Sequence, residues 1–376
     1  MNRIKLYYKL SNWLYKLSVV TGYARYAFYR KADSMADLRK VSEGLKECPL
    51  TADQQAKVNA LWKKYHVGPE WFQYYKWLNK GDTGFDVRYI PSDVEYCCFD
   101  DYFSKTLDAY VLDDKNMYDL YFPDVRMPRT IVRVMGGGLL DVNYNPISLE
   151  KAVECCRAEG NVVCKLALYS AAGQGVHFWN AQDGDEKLID ILTSGRDYVV
   201  QELFHQHSAI SAIYSGSVNT LRMMTFYHKG EMRLQSALLR MGSGGSKLDN
   251  ASAGGVFCGI NEDGTLKKYG YYLNGDRSEV HPQGVRFEGH QLPSYDKCKE
   301  LICNLAYRFL RVSKTIWWDM SVAEDGTPVL IEVNLTHGGV ESLQTANGPL
   351  YGDETQEILE EVFRKKRYRR FMKWVK

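Results

Sequence analysis

No apolar run in this chain approaches the roughly 18 residues a helix needs to cross a bilayer. The first residues also lack the compact apolar segment and small-residue cleavage site of a secretion signal. The expectation is a cytoplasmic protein that does not span a membrane. Cysteine is neither absent nor organised: nine residues form an odd set with no CxxC spacing, and two adjacent pairs, Cys97-Cys98 and Cys155-Cys156, cannot easily bridge. That excludes a disulfide scaffold and a zinc ribbon, and both pairs read as core residues of a reduced protein. Internal repeats and low-complexity linkers are missing too. Acid is missing from both ends: residues 1–31 hold seven Lys/Arg and residues 364–376 hold eight, with no Asp or Glu in either. The net charge of +2 therefore conceals basic termini around an acidic middle.

What is present is a large core in prospect, with 45% hydrophobic and 13% aromatic residues in 376. Leu6, Leu10, Trp13, Leu14 and Leu17 recur at helical steps among lysines, so residues 1–31 read as an amphipathic helix. Together with the basic, aromatic C-terminus it could lie peripherally on the anionic inner face of the cytoplasmic membrane, or dock on the acidic body. No nucleic-acid partner is expected. Helical periodicity continues to about Trp77, with a capping box at Thr51-Ala-Asp-Gln54. Asp113-Asp-Lys-Asn then opens a helix with an acidic cap.

From Thr130 to Leu203 strands and helices alternate: TIVRVM, a Gly136-Gly-Gly turn, a helix Ser148 to Glu159, a strand Asn161 to Tyr169, a strand from Val176, a helix from Asp185 and a strand Asp197 to Leu203. The loop Ser170-Ala-Ala-Gly-Gln-Gly-Val is small enough for backbone N–H groups to approach phosphates, and Lys165 precedes it. A β-rich lobe follows from Val218, turning at Lys229-Gly230, with a Gly/Ser segment at 242–255 that lacks P-loop spacing. An amphipathic helix Ser294 to Val312 leads into a hairpin, and a last helix covers 352–372. His205-x-His207 shares a strand face, but no third ligand accompanies it, so contact with a ribose or simple packing is the better reading.

The hairpin is the most informative stretch. Asp325-Gly326 signals a two-residue turn, which would pair Glu324 with Thr327 and hence Asp319 with Glu332. Alternation then puts Trp318, Met320, Val322, Val329, Ile331 and Val333 on one face, and Trp317, Asp319, Ser321, Leu330, Glu332 and Asn334 on the other. Opposed carboxylates repel at about 5 Å, so the pair wants a cation. Mg²⁺, with the Asn334 amide oxygen as a third ligand, is the economical choice. On this view removing either carboxylate relieves repulsion and leaves the fold intact or slightly stabilised.

These pieces together resemble the ATP-grasp superfamily: Lys115 opening a helix, Lys165 before the Gly173–Gly175 loop, a strand ending in Gln201-Glu202-Leu203, an Arg-rich β-lobe with Asn250 and Gly254-Gly255, and Asp319…Glu332-x-Asn334. RYIP at 88–91, VNTLR at 218–222 and the order of elements look most like its sugar-transfer-associated family. The resemblance covers roughly residues 85–350. It implies an α+β fold of two lobes gripping ATP behind an α-helical N-terminal extension. The implied segments are 1–84, a pre-ATP-grasp stretch 85–127, a small lobe 128–204, a large lobe 205–350 and a C-terminal basic helix 351–376.

By the same resemblance, Lys115 and Lys165 would hold phosphates under the loop of Gly173 and Gly175, and Gln201, Glu202 and Leu203 would present backbone to the adenine edge. Asp319, Glu332 and Asn334 would carry Mg²⁺ or Mn²⁺. Arg222, Arg240 and Asn250 would neutralise the transferring phosphoryl group. The chain departs from the family in lacking a third loop glycine, and in having Leu335-Thr-His337 where an arginine is usual, which makes His337 a candidate catalytic residue. The implied activity is a carboxylate–amine ligase forming an amide through an acyl phosphate, with a sugar or amino-acid acceptor and an amine donor in bacterial surface-polysaccharide (capsule or O-antigen) synthesis. A kinase with a hydroxyl acceptor and a non-catalytic nucleotide-binding protein are the alternatives. Acceptor contacts would come from Gly242 to Gly255, Tyr269 to Arg286 and His337 to Gly348.

Overall fold

The computed structural model describes residues 9–11, 13, 14, 17, 21, 49–68, 75, 76, 84–105, 109, 112–168, 175–336 and 338–374. Gly173, His337 and most of residues 1–31 lie outside the described residues. The chain forms two compact units, one drawn from residues 1–102, 339–344 and 348–376, the other from 103–338 and 345–347.

The first unit is helical and rich in buried aromatics. The capping box forms as the sequence predicts: Thr51 Oγ1 accepts the Gln54 N–H at 3.2 Å, Gln54 Oε1 accepts the Thr51 N–H at 2.9 Å, and the helix Ala52–Lys63 follows. It buries Trp62, whose Nε1 donates to the Tyr75 hydroxyl at 2.7 Å. Tyr65 stacks on Phe363 with ring centroids 4.8 Å apart. Cys97 and Cys98 lie in a π-helical turn, Glu95–Phe99, and are buried core residues. Two helices, Thr355–Phe363 and Lys366–Trp374, stand where the sequence reads as one. The second buries Tyr368 and Met372, and Arg367 pairs with Asp101 at 2.5 Å, so the described part of this basic segment is docked within its own unit.

The second unit carries two antiparallel sheets. The smaller has the order β2-β1-β5-β3-β4, built from β1 (Thr130–Met135), β2 (Gly138–Leu140), β3 (Asn161–Leu166), β4 (Val176–Asn180) and β5 (Tyr198–Glu202). The helices Leu149–Glu159 and Glu186–Leu192 bury its apolar face, with Val153, Cys156, Leu188 and Ile191 packing on Val132, Val162 and Val200. The larger sheet has the order β10-β9-β8-β7-β6-β11-β12. Its central strands are β6 (Thr220–His228), β7 (Glu231–Met241), β8 (Val256–Ile260) and β11 (Thr315–Val322); β9 (Leu266–Tyr271), β10 (Arg277–Ser278) and β12 (Pro328–Asn334) complete it. Lys229 and Gly230 both take positive φ, 51° and 90°, the primed turn that joins β6 to β7. The helix Tyr295–Ala306 covers one face through Cys298, Ile302 and Leu305.

The β11–β12 hairpin pairs Asp319 with Glu332, and Trp317 with Asn334, as expected, but by a different route. The loop has three residues, not two. Ala323 N–H donates to Thr327 O at 2.9 Å, Gly326 N–H returns to Ala323 O at 2.9 Å, and only Gly326 (φ 78°) is left-handed while Asp325 keeps a negative φ. A primed two-residue turn would need positive φ at both. This shifts the register by one, so Val322 meets Pro328 and Met320 meets Leu330; a bulge between Asp319 and Met320 then restores it. Leu330 consequently joins Trp318, Met320 and Val333 in the core, and Val329 shares the face of Asp319. Ile331, the unpaired residue, lines the cavity described below. The sequence reading of these three faces is thereby corrected.

Gly326 sits where an added Cβ would meet Ser294 Oγ at 3.3 Å and where a side chain disfavours the backbone. Gly326→Ala should cost about 1 kcal/mol of stability, read as a lower urea midpoint with unchanged slope. An unchanged midpoint would mean the loop is not held left-handed at this position.

Candidate active site

A cavity of about 380 Å³ lies between the two sheets of the second unit. Its sheet-side floor is set by strand register: Asp319 on β11 has Arg222 of β6 on one side and Glu332 of β12 on the other. Arg222 Nε is 3.3 Å from Asp319 Oδ1. Arg240, from β7, reaches diagonally to Asp319 Oδ2 at 3.0 Å and to the Thr220 hydroxyl at 2.8 Å. Lys115 Nζ pairs with Glu332 Oε1 at 2.9 Å, and Lys165 enters from β3 of the smaller sheet. Four cations therefore converge on Asp319, Glu332 and Asp249.

Each carboxylate thus has protein counter-ions of its own. The expectation that the two simply repel is corrected by this arrangement. Burial alone would push the Glu332 carboxyl up, but the Lys115 ammonium, helped by Arg222 and Lys165, holds it below the ordinary carboxylate range. Burial pushes the Lys165 ammonium down to about 8, against the pull of Glu332. On the described residues that line the cavity two buried atoms, Arg222 Nη1 and Asp319 Oδ1, make no hydrogen bond, although Arg222 Nε lies 3.3 Å from that oxygen. An orphaned carboxylate oxygen beside a second carboxylate and the Asn334 amide, all on the cavity wall, is an oxygen set that fits a hard divalent cation.

Local networks aim these side chains. Lys115 opens a 3₁₀ turn, Lys115–Met117, capped by Asp114, which accepts the Asn116 N–H at 2.9 Å. The turn is pinned from behind. Buried Arg133 donates to the Asn116 carbonyl and to Asp119 at 2.6 Å, with its guanidinium 4.2 Å from the Tyr144 ring centroid. Asn116 Nδ2 donates to Val134 O at 3.1 Å. On the far side the segment 242–255 brings Lys247, Leu248, Asp249 and Asn250 to the cavity. Tyr214 donates to Ser246 O at 2.7 Å, His281 Nε2 lies 2.9 Å from Gly242 O, and Asp249 is bound to Thr220 and lies 3.3 Å from Arg240. Gly255 allows the segment to close, because a Cβ there would fall 2.5 Å from Asp249 O.

Of the residues singled out from sequence, the cavity wall brings together Lys115, Lys165, Glu202, Leu203, Arg222, Arg240, Asn250, Asp319, Glu332 and Asn334. Gln201 is not among the lining residues; its side chain donates to Pro128 O at 3.1 Å. Gly175 takes φ 73° just before β4, packed so closely on Leu166 that a Cβ would lie 2.2 Å from its Cδ1; it too is absent from the lining. Gly173 and His337 lie outside the described residues, although the neighbouring Gly338 lies against the Trp317 indole, where a Cβ would come within 1.9 Å. His205 lines the cavity, whereas His207 caps a short helix by accepting the Ala209 N–H at 3.1 Å, so the two do not act as a metal pair. Sequence reasoning missed Thr220 and Asp249, Lys247 with its ammonium 5.2 Å from the Phe178 ring centroid, and the apolar wall of Val163, Val176, Phe178 and Ile331. Only Asp249, adjacent to Asn250, carried a signal.

Glu332→Gln should strip Lys115 of its counter-ion and destabilise the free protein by about 1–3 kcal/mol. The sign with pH follows from the lowered carboxyl. The ion pair's contribution is complete above the ordinary value of 4.5 and is lost as pH falls through the lowered one, so the gap between wild type and variant should close in acid. Urea unfolding of both at neutral and acid pH tests this; a variant as stable as wild type at neutral pH would contradict it.

No curated protein matches the sequence. Among solved structures the chain is similar to D-alanyl-alanine synthetase A from Vibrio cholerae O1 biovar eltor, at 12% identity and a TM-score of 0.41 over 67% of this chain and 66% of that one. It is also similar to D-alanine–D-alanine ligase from Bacillus anthracis (14%, 0.40, 71% of each chain). A third is the ATP-grasp ligase PsnB complexed with minimal precursor (12%, 0.38, 69% and 64%). The chain spans under two thirds of the length of the Vibrio and PsnB proteins. Residues 187–359, which include β6 to β12 and hence Arg222, Arg240, Asp319, Glu332 and Asn334, match the family described as sugar-transfer associated ATP-grasp. The stretch 187–359 of this α+β chain is accordingly what it shares with the sugar-transfer associated ATP-grasp family.

Proposed function

We propose that the chain is an ATP-dependent carboxylate–amine ligase that joins an amino acid or amine to a sugar acid during assembly of a bacterial surface polysaccharide such as capsule or O-antigen. The observation that carries this reading is the convergence of Lys115, Lys165, Arg222 and Arg240 on the opposed Asp319 and Glu332. Phosphoryl transfer asks a protein for positioning and charge neutralisation rather than covalent help, and this cluster offers both. Bound ATP would supply the phosphoryl group, and Mg²⁺ would supply neutralising charge. Lys115 and Lys165 would hold phosphate oxygens, Asp319, Glu332 and Asn334 would hold the metal, and the unsatisfied Arg222 Nη1 would meet the phosphoryl group in transfer. Val163, Val176, Phe178, Leu203 and Ile331 offer an apolar wall for the base.

In the proposed reaction an acceptor carboxylate oxygen bonds to the γ-phosphorus as its bond to ADP breaks. An amine nitrogen then attacks the acyl carbon and loses its proton, and phosphate leaves. The sugar-transfer association of the matched family supports a sugar-bearing acceptor. Thermal shift with ATP–Mg²⁺ and a panel of uronic acids, amino acids and amino sugars identifies the partners. Phosphate should be released only when carboxylate and amine are both present; phosphate retained on a single hydroxyl acceptor would mean a kinase instead.

Lys165→Ala should lower turnover on the order of 10²–10³-fold. The wild-type ammonium, held at about 8 by burial, should be drawn back to its charged form by polyphosphate. ATP binding should therefore take up protons near pH 8 and weaken as pH rises. Calorimetry in buffers of different ionisation enthalpy measures this, and the absence of any uptake would place Lys165 away from the phosphates.

A further inference from the structure

Seven large apolar side chains are exposed among the described residues, and four of them crowd into one stretch: Leu10, Trp13, Leu14 and Leu17, at 55%, 58%, 51% and 45%. All four are helical, and the spacing places them on one face. Thr21 is helical as well, and its hydroxyl donates to Leu17 O at 3.0 Å. Scattered exposed leucines are ordinary, but a contiguous stripe that includes a tryptophan marks an interaction surface. The charge beside the stripe is of one sign. Lys9 is exposed next to Leu10, and residues 1–31 hold seven Lys/Arg and no acid.

We infer that this helix face is a docking surface for an anionic lipid bilayer, so that the enzyme works at a membrane surface while none of its described helices crosses one. The composition selects that occupant. Leucine and tryptophan partition into the headgroup–acyl boundary, and basic residues beside them are attracted to anionic headgroups. A second copy of the chain brings no acid in residues 1–31 to meet the seven Lys/Arg of the first, so like charge opposes a symmetric dimer through this segment. The C-terminal basic helix offers no comparable apolar stripe among its described residues, because Tyr368 and Met372 are buried. The inference is independent of the ligase reading, since it uses no residue of the cavity.

Co-sedimentation of the full-length protein with phosphatidylcholine vesicles, with and without phosphatidylglycerol, tests it. Binding is expected on the anionic vesicles at low salt, with little on the zwitterionic ones, and should weaken as salt is raised. Leu10→Ser/Trp13→Ser/Leu14→Ser should lower the bound fraction by about tenfold with an unchanged melting curve, and Trp13→Ser alone should lower it less. Protein that stays in the supernatant with anionic vesicles at low salt overturns the inference, as does a triple variant that binds as well as wild type. So does sedimentation velocity showing a dimer that Trp13→Ser dissociates without any vesicle binding. ATP-dependent turnover in the triple variant should be unchanged, which separates failure at this surface from failure at the cavity.

Discussion

Two carboxylates face each other across neighbouring strands at the base of the cavity, and much of the second unit is arranged to make that tolerable. Asp319 and Glu332 are held opposite by the β11–β12 register, and each is met by cations from a different direction. Arg222 and Arg240 come from the adjacent strands of the same sheet; Lys115 comes from a capped turn and Lys165 from the other sheet. Buried charge of either sign is costly alone, so these residues depend on one another. The result is a pocket in which opposite charges offset one another while hydrogen-bonding capacity at Arg222 Nη1 and Asp319 Oδ1 stays unused. Such spare capacity is what a polyanion and its metal would use.

The cluster is only as good as the elements that aim it. Lys115 owes its direction to Arg133, which is buried, stacked on Tyr144 and bonded to the carbonyl of the next residue, so that a cation with no place in the cavity positions one that has. Asp249 likewise owes its place to a segment tied down by Tyr214 and His281 and closed by Gly255. Burial pushes the His281 imidazole down, consistent with a neutral ring that donates from Nε2 to Gly242 O while Nδ1 accepts the Gln283 N–H at 3.2 Å. Both devices act at a distance from the chemistry, through backbone that they hold still.

How much of this is legible in the sequence depends on how local the cause is. The Thr51–Gln54 box, the helix that starts at Ser148 and the Lys229-Gly230 turn are decided within a few residues, and all appear where expected. The Asp319–Glu332 pairing appears too, yet it depends on a three-residue loop and a bulge whose effects cancel; alternation alone therefore misplaces Val329, Leu330 and Ile331. A bulge is set by packing on both sheet faces, which no short window contains. Thr220 and Asp249 meet across 29 positions, and Lys247 lies over Phe178 from another lobe of the unit, so neither contact has a local signature. Strand alternation turns the Gln201 side chain to the Pro128 carbonyl while its neighbour Glu202 lines the cavity, which leaves backbone as what Gln201 can offer there.

In the proposed site the hairpin carboxylates bind a metal–nucleotide complex rather than serving only as partners for lysine and arginine. Water-proton relaxation with Mn²⁺ as a probe tests this binding, because it reports metal held by the protein whether or not turnover occurs. The enhancement should grow when ATP is added to the wild-type protein and be lost in Glu332→Gln. Equal enhancement in wild type and Glu332→Gln at saturating ATP would contradict it.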